Sequence, residues 1–257
     1  MEICVDLVPQ SVSPGRDGPH EPVRDGRGTT VVIDVLRTAT VATLLFERGA
    51  TALTVTASVR AARFLAERQG AVLIGERRGV PIEGFNYGSS PSVLRGVALH
   101  EREVVLLADE VPAALCTAAA GDVWLAGLTN AVAAADVVAA TQPKHVRVVC
   151  AGDRGEPDLA DTIAAGLLVA LLDRAVRREA GATVTLAGAA RYCLSVLRTT
   201  KDPLDGIWAA AAAAELRAIG LEEDLAIASE VAASEVVPSV KGFETVLGRQ
   251  AVRLAAV

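Results

Sequence analysis

The sequence predicts an α/β protein in which a central β-sheet is covered by helices on both faces. Short apolar runs rich in β-branched residues alternate along the chain with segments that have the length and composition of helices. The hydrophobic share is 51% and the aromatic share only 3%, so small aliphatic side chains must fill the core. We expect a single domain over residues 1–257, a length that can bury one large core.

The predicted strands are short and apolar, as is typical of strands that are buried on both faces. Thr30–Val35 is the clearest, because Asp34 is the one polar side chain after its first residue. The other predicted strands are Ala52–Thr56, Ala71–Ile74, Arg102–Ala108, Asp122–Ala126 and His145–Cys150.

The predicted helices follow these strands. Thr38–Arg48 and Val59–Gln69 are each followed by a glycine, a residue that often stops a helix. For Arg191–Leu197 the pattern leaves both a strand end and a helix open. The remaining predicted helices are Val111–Ala120, Asn130–Ala140, Leu159–Arg178, Ala209–Ile219 and Asp224–Ala232.

Charge and cysteine usage exclude several classes of protein. The formal net charge is −6 and no basic run is present, so neither a nucleic acid nor an anionic membrane is an expected partner. The four cysteines form no C-x-x-C pair and have no histidine nearby, which argues against a zinc site or a disulfide framework. We expect a cytoplasmic protein without a signal peptide. Ile207–Ala214 is too short to cross a membrane, and its alanines predict the start of a helix.

Polar residues follow three of the predicted strands, where ligands bind in sheets of this kind. The first place is VVIDVLRTAT, with Asp34 in the apolar strand and Arg37 at the following turn. A buried carboxylate needs a cation, a metal or hydrogen bonds. One interpretation is a metal-binding Asp34 beside a phosphate-binding Arg37, helped by the hydroxyls of Thr38 and Thr40. The other is an Asp–Arg pair that caps a helix, and the segment alone favours neither.

The second place is the polar connection Gly75–Pro91, GERRGVPIEGFNYGSSP. Long irregular loops in compact domains are often functional. We prefer a fixed polar site to a solvated surface loop, because charged residues stand among tight-turn residues. The residues that carry this interpretation are Glu76, Arg77, Arg78, Glu83 and Asn86.

The third place is Cys150–Asp161, CAGDRGEPDLAD, which opens a helix. Gly152 allows a ligand to approach the backbone closely. Asp158 can cap the helix, and Asp161 falls in its first turn. The alternative is that both acids only complement the helix dipole, which is a stronger argument for Asp158 than for Asp161.

Taken in order, VVIDVLRTAT, GERRGVPIEGFNYGSSP, VVCAGDRGEPDLADTIAAG and VVPSVKG resemble the 2-phosphosulfolactate phosphatase family, from about Asp6 to Val240. The middle segment is the most specific. The resemblance implies a three-layer α/β/α sandwich with a mostly parallel or mixed central sheet. It also implies Mg²⁺-dependent hydrolysis of 2-phosphosulfolactate to sulfolactate and phosphate, in coenzyme M biosynthesis. The expected partner is a small anionic phosphorylated metabolite, and a homodimer is left open.

The resemblance carries roles onto individual residues. Asp34 and Arg37 match the family's Asp-Val-Leu-Arg, and Asp161 matches the Asp of its Glu-Asp-Thr. The expected catalytic residues are Asp34, Glu76 and Asp161, and the expected metal ligands are Asp34, Asp161 and Glu83. The expected substrate-binding residues are Arg37, Thr40, Arg77, Glu83, Gly84, Asn86, Ser90 and Gly152.

The chain also departs from the family pattern. Glu110-Val111-Pro112-Ala113 stands where the family has Asn-Gly-Thr-Arg, Ala160 replaces a Glu, and Ile207–Ala214 lacks an expected basic stretch. The first change removes an Arg and adds acid, so we expect weaker binding of a highly anionic substrate.

Three functions follow from these observations. The first is a Mg²⁺-dependent phosphatase acting on phosphosulfolactate or another small phospho-acid. The second is a catalytically impaired paralogue that binds an anionic metabolite or a protein partner. The third is an aspartyl-phosphate phosphatase of the haloacid dehalogenase kind, which is disfavoured because Leu36 occupies the place of its second Asp.

Overall fold

The computed structural model describes residues 1–9, 28–77, 79–118, 121–180 and 183–257. Arg78, in the predicted polar loop, lies outside the described residues. The strands are β1 (Glu2–Asp6), β2 (Gly28–Ile33), β3 (Ala52–Thr56), β4 (Val72–Ile74), β5 (Glu76–Arg77), β6 (Val80–Pro81), β7 (Glu103–Leu107), β8 (Asp122–Ala126), β9 (His145–Cys150), β10 (Thr185–Gly188), β11 (Pro238–Val246) and β12 (Arg249–Ala256). The helices are α1 (Thr38–Glu47), α2 (Val59–Gln69), α3 (Pro91–Leu94), α4 (Val111–Cys116), α5 (Ala131–Ala140), α6 (Leu159–Ala180), α7 (Ala190–Thr199), α8 (Pro203–Trp208), α9 (Ala211–Ala218) and α10 (Glu222–Ala228).

Ten of the described strands form one sheet, in the order β10-β1-β9-β2-β8-β11-β12-β3-β7-β4. The first five are parallel to one another, and so are the last three. Between these two blocks lies the antiparallel hairpin β11–β12, which also pairs antiparallel with β8 and with β3. The sheet is therefore mixed. Following the strand pairing across the sheet, the three strands of the smaller block, β3-β7-β4, run in the direction opposite to the five strands of the larger block, β10-β1-β9-β2-β8.

Helices cover both faces of this sheet, as the alternating sequence predicts. In β2, Val31 and Ile33 pack into the cluster that contains the apolar residues of α5, α6 and α7. The intervening Val32 packs into the cluster formed with α1 and α4. In β7, Leu106 belongs to the α1 and α4 side, while Leu107 packs against α2 on the opposite face. The predicted α/β fold, a mixed central sheet flanked by helices, is confirmed.

The register of the parallel block places the polar strand ends side by side. Ile33 of β2 pairs with Cys150 of β9 and with Ala126 of β8. The N–H of Ala151 donates to the carbonyl of Ile33 at 2.8 Å, so the chain leaves β9 next to the point where it leaves β2. The turns that begin at Asp34 and at Ala151 are therefore neighbours.

Most of the predicted elements of the first two thirds of the chain are confirmed to within a few residues. Ala52–Thr56, Val59–Gln69 and His145–Cys150 have the predicted bounds. The helix predicted over Val111–Ala120 ends earlier, at Cys116. Arg191–Leu197, where the pattern allows a strand end or a helix, lies in α7 and is helical.

The sequence prediction missed elements at both ends of the chain and in the polar connection. They are β1 near the N-terminus, the short elements β5, β6 and α3, and β10 with the hairpin β11–β12 in the C-terminal third. The Ala-rich stretch Ile207–Ala214 does not start one helix, because α8 ends at Trp208 and α9 begins at Ala211. Alanine favours a helix but does not fix where it begins. Ile207, near the end of α8, and Ala210, just before α9, are both buried in the core. No helix in the described ranges has the length and hydropathy that a membrane crossing requires.

The close contact between α6 and α7 generates a first prediction. Gly166 of α6 faces the backbone of α7, and a Cβ added there would lie 2.4 Å from the carbonyl oxygen of Cys193. Gly166→Ala should therefore destabilise the protein by about 1–3 kcal/mol through overpacking, although alanine is the better helix former. Urea unfolding measures this free energy. Gly242→Ala is the matched control, because nothing lies within 4 Å of a Cβ at Gly242. Equal stabilities of the two variants would contradict the close packing.

Candidate active site

A cleft of about 830 Å³ opens beside the ends of β2, β4, β7 and β9. Part of its apolar lining comes from the C-terminal half of α9 and the residue after it, with Leu216 and Ile219. The charged side chains that line it are mostly acidic. They are Asp34, Arg37, Glu76, Asp109, Glu110, Asp153, Arg154, Asp158, Asp161 and Glu215.

Asp34 follows the last residue of β2 and is only 8% exposed. Its carboxylate accepts hydrogen bonds from the N–H of Thr38 at 2.8 Å and from the hydroxyl of Thr38 at 3.0 Å. Burial raises the pKa of Asp34 from 3.8 to about 6, and the two Thr38 bonds oppose this rise. Asp34 thus caps the first residue of α1 while its charge remains poorly solvated.

Asp161 lies in the first turn of α6 and reaches across to the end of β2. One carboxylate oxygen accepts the N–H of Val35 at 2.9 Å, and the other accepts the N–H of Gly152 at 3.0 Å. Burial raises the pKa of Asp161 well above its usual value, and the negative charge of Asp34 adds to the rise. The charge of Asp34 therefore disfavours the ionised form of Asp161.

A third carboxyl group, that of Asp158, begins α6. It accepts the N–H groups of Ala160 at 2.8 Å and Asp161 at 3.2 Å, which is the hydrogen bonding of a helix cap. Burial raises the pKa of Asp158 as well. The interpretation of Asp158 as a cap is confirmed, whereas Asp161 does more than complement the helix dipole, because it joins two loops.

Arg37 is 9% exposed and lies between two acids, not against Asp34. One terminal nitrogen of its guanidinium donates to Glu76, and the other donates to Asp224. Glu76 also accepts the N–H of Ser89 at 3.3 Å. The Asp–Arg pair that the sequence left open is therefore wrong, while the capping role of Asp34 is right. The peptide bond between Leu36 and Arg37 is cis.

The segment that departs from the family pattern forms part of the cleft wall. Asp109 accepts a hydrogen bond at 2.7 Å from Arg77, and Glu110 accepts the N–H of Arg154 at 3.3 Å. The guanidinium of Arg154 in turn pairs with Glu215 at 3.1 Å. The rim of the cleft is thus a set of exposed ion pairs.

Five of the residues predicted for the site line this cleft: Asp34, Arg37, Glu76, Gly152 and Asp161. They come from the segments that follow β2, β4 and β9, including the first turn of α6, as the polar strand ends predict. Their roles stay predictions, because position alone does not assign chemistry.

The other predicted residues lie elsewhere. Thr40 is buried in α1, and its hydroxyl has no hydrogen-bond partner among the described residues. Arg77 is half-exposed and binds Asp109. Ser90 is buried and donates to Asp224 at 2.7 Å. Glu83, Gly84 and Asn86 form an exposed turn that does not line the cleft.

This placement argues against Glu83 as a metal ligand. Its side chain faces solvent, and its main-chain carbonyl accepts a hydrogen bond from Arg63 at 2.7 Å. Asn86 has a structural contact, because its side-chain oxygen accepts the N–H of Leu73 at 2.8 Å. The connection Gly75–Pro91 is therefore divided between three residues that line the cleft, Glu76, Gly79 and Ser89, and a solvated turn.

Gly152 lines the cleft, and its backbone geometry by itself requires glycine. Its φ is +70°, and a Cβ there would lie 2.5 Å from the carbonyl oxygen of Glu156. Its N–H already donates to Asp161. The tight turn from Asp153 to Glu156 therefore requires glycine here, and the close approach of a ligand to this backbone stays a prediction.

Sequence reasoning missed Asp224, Arg154 and Glu215. Asp224 is fully buried, yet it stands in a run of three acids whose other two are exposed, and nothing in the pattern separates it from them. Arg154 belongs to the segment CAGDRGEPDLAD, which follows β9. The available signal was that this polar segment contains an arginine to which the sequence assigns no role.

Comparison with known proteins gives a consistent result. A family model described as 2-phosphosulpholactate phosphatase matches residues 18–242. A protein of Deinococcus radiodurans named "Probable 2-phosphosulfolactate phosphatase" is 33% identical over 243 residues, which cover 93% of each chain. A protein of Thermus thermophilus with the same name is 34% identical over 246 residues, covering 94% of this chain and 95% of the relative.

The raised pKa of Asp34 generates a second prediction. Between about pH 4 and pH 6 the folded protein binds more protons at Asp34 than the unfolded chain does, so stability falls as the pH rises through this window. Asp34→Asn removes the titrating carboxyl group and therefore removes this fall in stability. With a chelator present, the variant should gain about 2–3 kcal/mol relative to wild type between pH 4 and pH 7.

Urea unfolding at several pH values measures the difference. Asp136→Asn, an exposed position in α5, is the matched control and should show no such trend. A constant difference between Asp34→Asn and wild type at all pH values would show that Asp34 titrates normally.

Proposed function

This chain belongs to the 2-phosphosulfolactate phosphatase family, and on that premise we propose that it is a Mg²⁺-dependent phosphatase. The proposed reaction hydrolyses 2-phosphosulfolactate, or a related small phospho-acid, to the hydroxy acid and phosphate. The observation that carries the proposal is the meeting of Asp34, Asp161 and Arg37 in one cleft. Two acidic groups that suit a metal therefore lie in the same cleft as a cationic group that suits a phosphate.

Asp34 and Asp161 are the residues that would hold Mg²⁺. Both are buried, and the charge of Asp34 raises the pKa of Asp161, so a divalent cation would relieve an unfavourable pair. Among the described residues no group of three or more His, Cys, Asp or Glu side chains could hold a metal. Mg²⁺ usually uses one or two carboxylates and completes its shell with water and phosphate oxygens. When bound, it would neutralise the phosphoryl oxygens and help to activate water.

The protein's own groups supply the rest of the proposed chemistry. Arg37 presents a planar fork of donors that suits phosphate oxygens. Hydrogen bonds from Val35 and Gly152 fix both oxygens of Asp161, and Thr38 fixes Asp34, so neither carboxylate is free to rotate. A held carboxylate can orient an attacking water or itself attack phosphorus, and we leave the choice between Asp34 and Asp161 open. Glu76 lies on the other side of Arg37 and keeps the guanidinium at the cleft wall.

We place this activity in the cytoplasm, where all four cysteines, which are unpaired in the structure, would stay reduced. A role in coenzyme M biosynthesis follows if phosphosulfolactate is the substrate. A homodimer stays a prediction from the sequence.

The second candidate, an impaired paralogue that binds a metabolite or a protein partner, is favoured by the charge of the cleft. Of the charged side chains that line its described part, eight are acidic and two are arginines. Both arginines already pair with acids. A substrate with several negative charges would therefore meet repulsion at the rim, especially from Glu110.

A panel assay separates the two candidates. Phosphate release should be detectable with 2-phosphosulfolactate or another small phospho-acid, should require Mg²⁺, and should disappear with a chelator. Asp34→Asn should abolish release, and Asp136→Asn should retain it. Release that is indifferent to the chelator would contradict the metal. If no compound is hydrolysed but one still raises the melting temperature, the impaired paralogue is the better description.

The charge of Glu110 generates a further prediction. Glu110→Gln keeps an oxygen that can accept the N–H of Arg154 but removes a negative charge from the cleft wall. The KM for a substrate with two or more negative charges should fall about threefold to tenfold, since roughly 1 kcal/mol of repulsion is removed. The effect should shrink as salt is added. Glu67→Gln, exposed on α2 away from the cleft, is the control for net charge. A KM that changes equally in both variants would contradict a local effect.

A further inference from the structure

Asp224 is a buried charge to which no role has been assigned. It lies in the first turn of α10 and is 0% exposed, and it does not line the cleft. A fully buried carboxylate is costly unless it is paired and hydrogen-bonded. Here it pairs with Arg37 and accepts the hydroxyl of Ser90 at 2.7 Å and the N–H of Ser92 at 3.0 Å. Asp224 is thus held by two hydrogen bonds from the start of α3 in addition to its arginine.

The two acids on Arg37 have different surroundings. Glu76 lines the cleft, whereas Asp224 lies behind it. An anion entering the cleft can therefore compete with Glu76 for the guanidinium but cannot reach Asp224. Each acid accepts a hydrogen bond from a different terminal nitrogen of the guanidinium. An arginine side chain has five N–H donors in all.

We propose that Asp224 is a positioning residue, which holds the guanidinium of Arg37 against the cleft wall so that it can receive the phosphate of the substrate. This inference rests on the proposed function. Arginine is long and has many rotamers, so an ion pair on its buried side reduces the freedom that binding would otherwise remove. Ser90 and Ser92 fix Asp224, Asp224 fixes one side of the guanidinium, and Glu76 marks the side that a phosphate would occupy.

The test is Asp224→Asn, measured by KM and kcat for the best substrate of the panel and by the inhibition constant of inorganic phosphate. KM and the phosphate inhibition constant should both rise about tenfold or more, since a misplaced binding group can cost up to two orders of magnitude. The fall in kcat and the shift in Mg²⁺ dependence should be smaller, because Asp34 and Asp161 are untouched. Glu223→Gln, an exposed acid in the same turn of α10, should match wild type.

Two further measurements separate positioning from a purely structural role. In an Arg37→Gln background, Asp224→Asn should add no further rise in KM, because the residue acts through Arg37. If Asp224→Asn does not fold, Ser90→Ala replaces it, since that change keeps both charges and removes one bond to Asp224. Ser90→Ala should raise KM in the same direction by a smaller factor. Reduced stability with unchanged KM and unchanged phosphate inhibition would overturn the proposal.

Failure of the proposed function can be distinguished from failure of the inference about Asp224. If the wild-type protein hydrolyses nothing, calorimetric binding of inorganic phosphate to wild type, Asp224→Asn and Glu223→Gln still tests the positioning of Arg37. Weaker phosphate binding by Asp224→Asn alone would support the inference without catalysis. Equal binding by all three proteins, or no binding by wild type, would overturn it.

Discussion

The carboxylate of Asp161 joins the ends of two neighbouring strands, and the geometry of the cleft depends on it. Its two oxygens accept N–H groups from the turn after β2 and from the turn after β9, while its own backbone begins α6. The Asp161 side chain therefore fixes the relative positions of three parts of the chain. They are the turn at Asp34, the loop at Gly152 and the first turn of α6, the longest described helix. The same contact brings the two carboxyl groups together, and burial then raises the pKa of both.

The cleft also depends on the mixed sheet in a way that parallel strands alone do not explain. Asp34 and Gly152 follow strands of the larger block, whereas Glu76 and Asp109 follow strands of the smaller block, which runs the opposite way along the ladder. Each strand rotates by roughly 20–25° relative to its neighbour, so the five steps from β2 to β7 accumulate roughly 100° or more. This twist is our explanation for how carboxyl ends from both blocks reach one cleft.

Much of this arrangement could be predicted from the sequence. The apolar strands with β-branched residues were clear, and Asp34 and Asp161 stood out because a carboxylate at a buried strand exit needs a partner. What the sequence could not supply was the contact of residues far apart in the chain. Asp224 lies 187 residues from Arg37, and its neighbour Glu223 has the same charge but is exposed. Glu83 and Asn86 were drawn into the predicted site because polar turn residues look alike whether they face a cleft or water. The strands β11 and β12 were missed because Lys241, Glu244 and Arg253 interrupt their apolar pattern.

The position of that late hairpin has a consequence for the order in which the protein can be built. β11 and β12 lie in the middle of the sheet, yet they follow every other described strand in the chain. As the chain leaves the ribosome, β8 and β3 are each left with an unpaired edge until Pro238–Ala256 emerges. Unpaired edges of apolar strands are sites of aggregation. Translation that stops before Pro238 would therefore leave two half-sheets whose apolar edges have no partner strand.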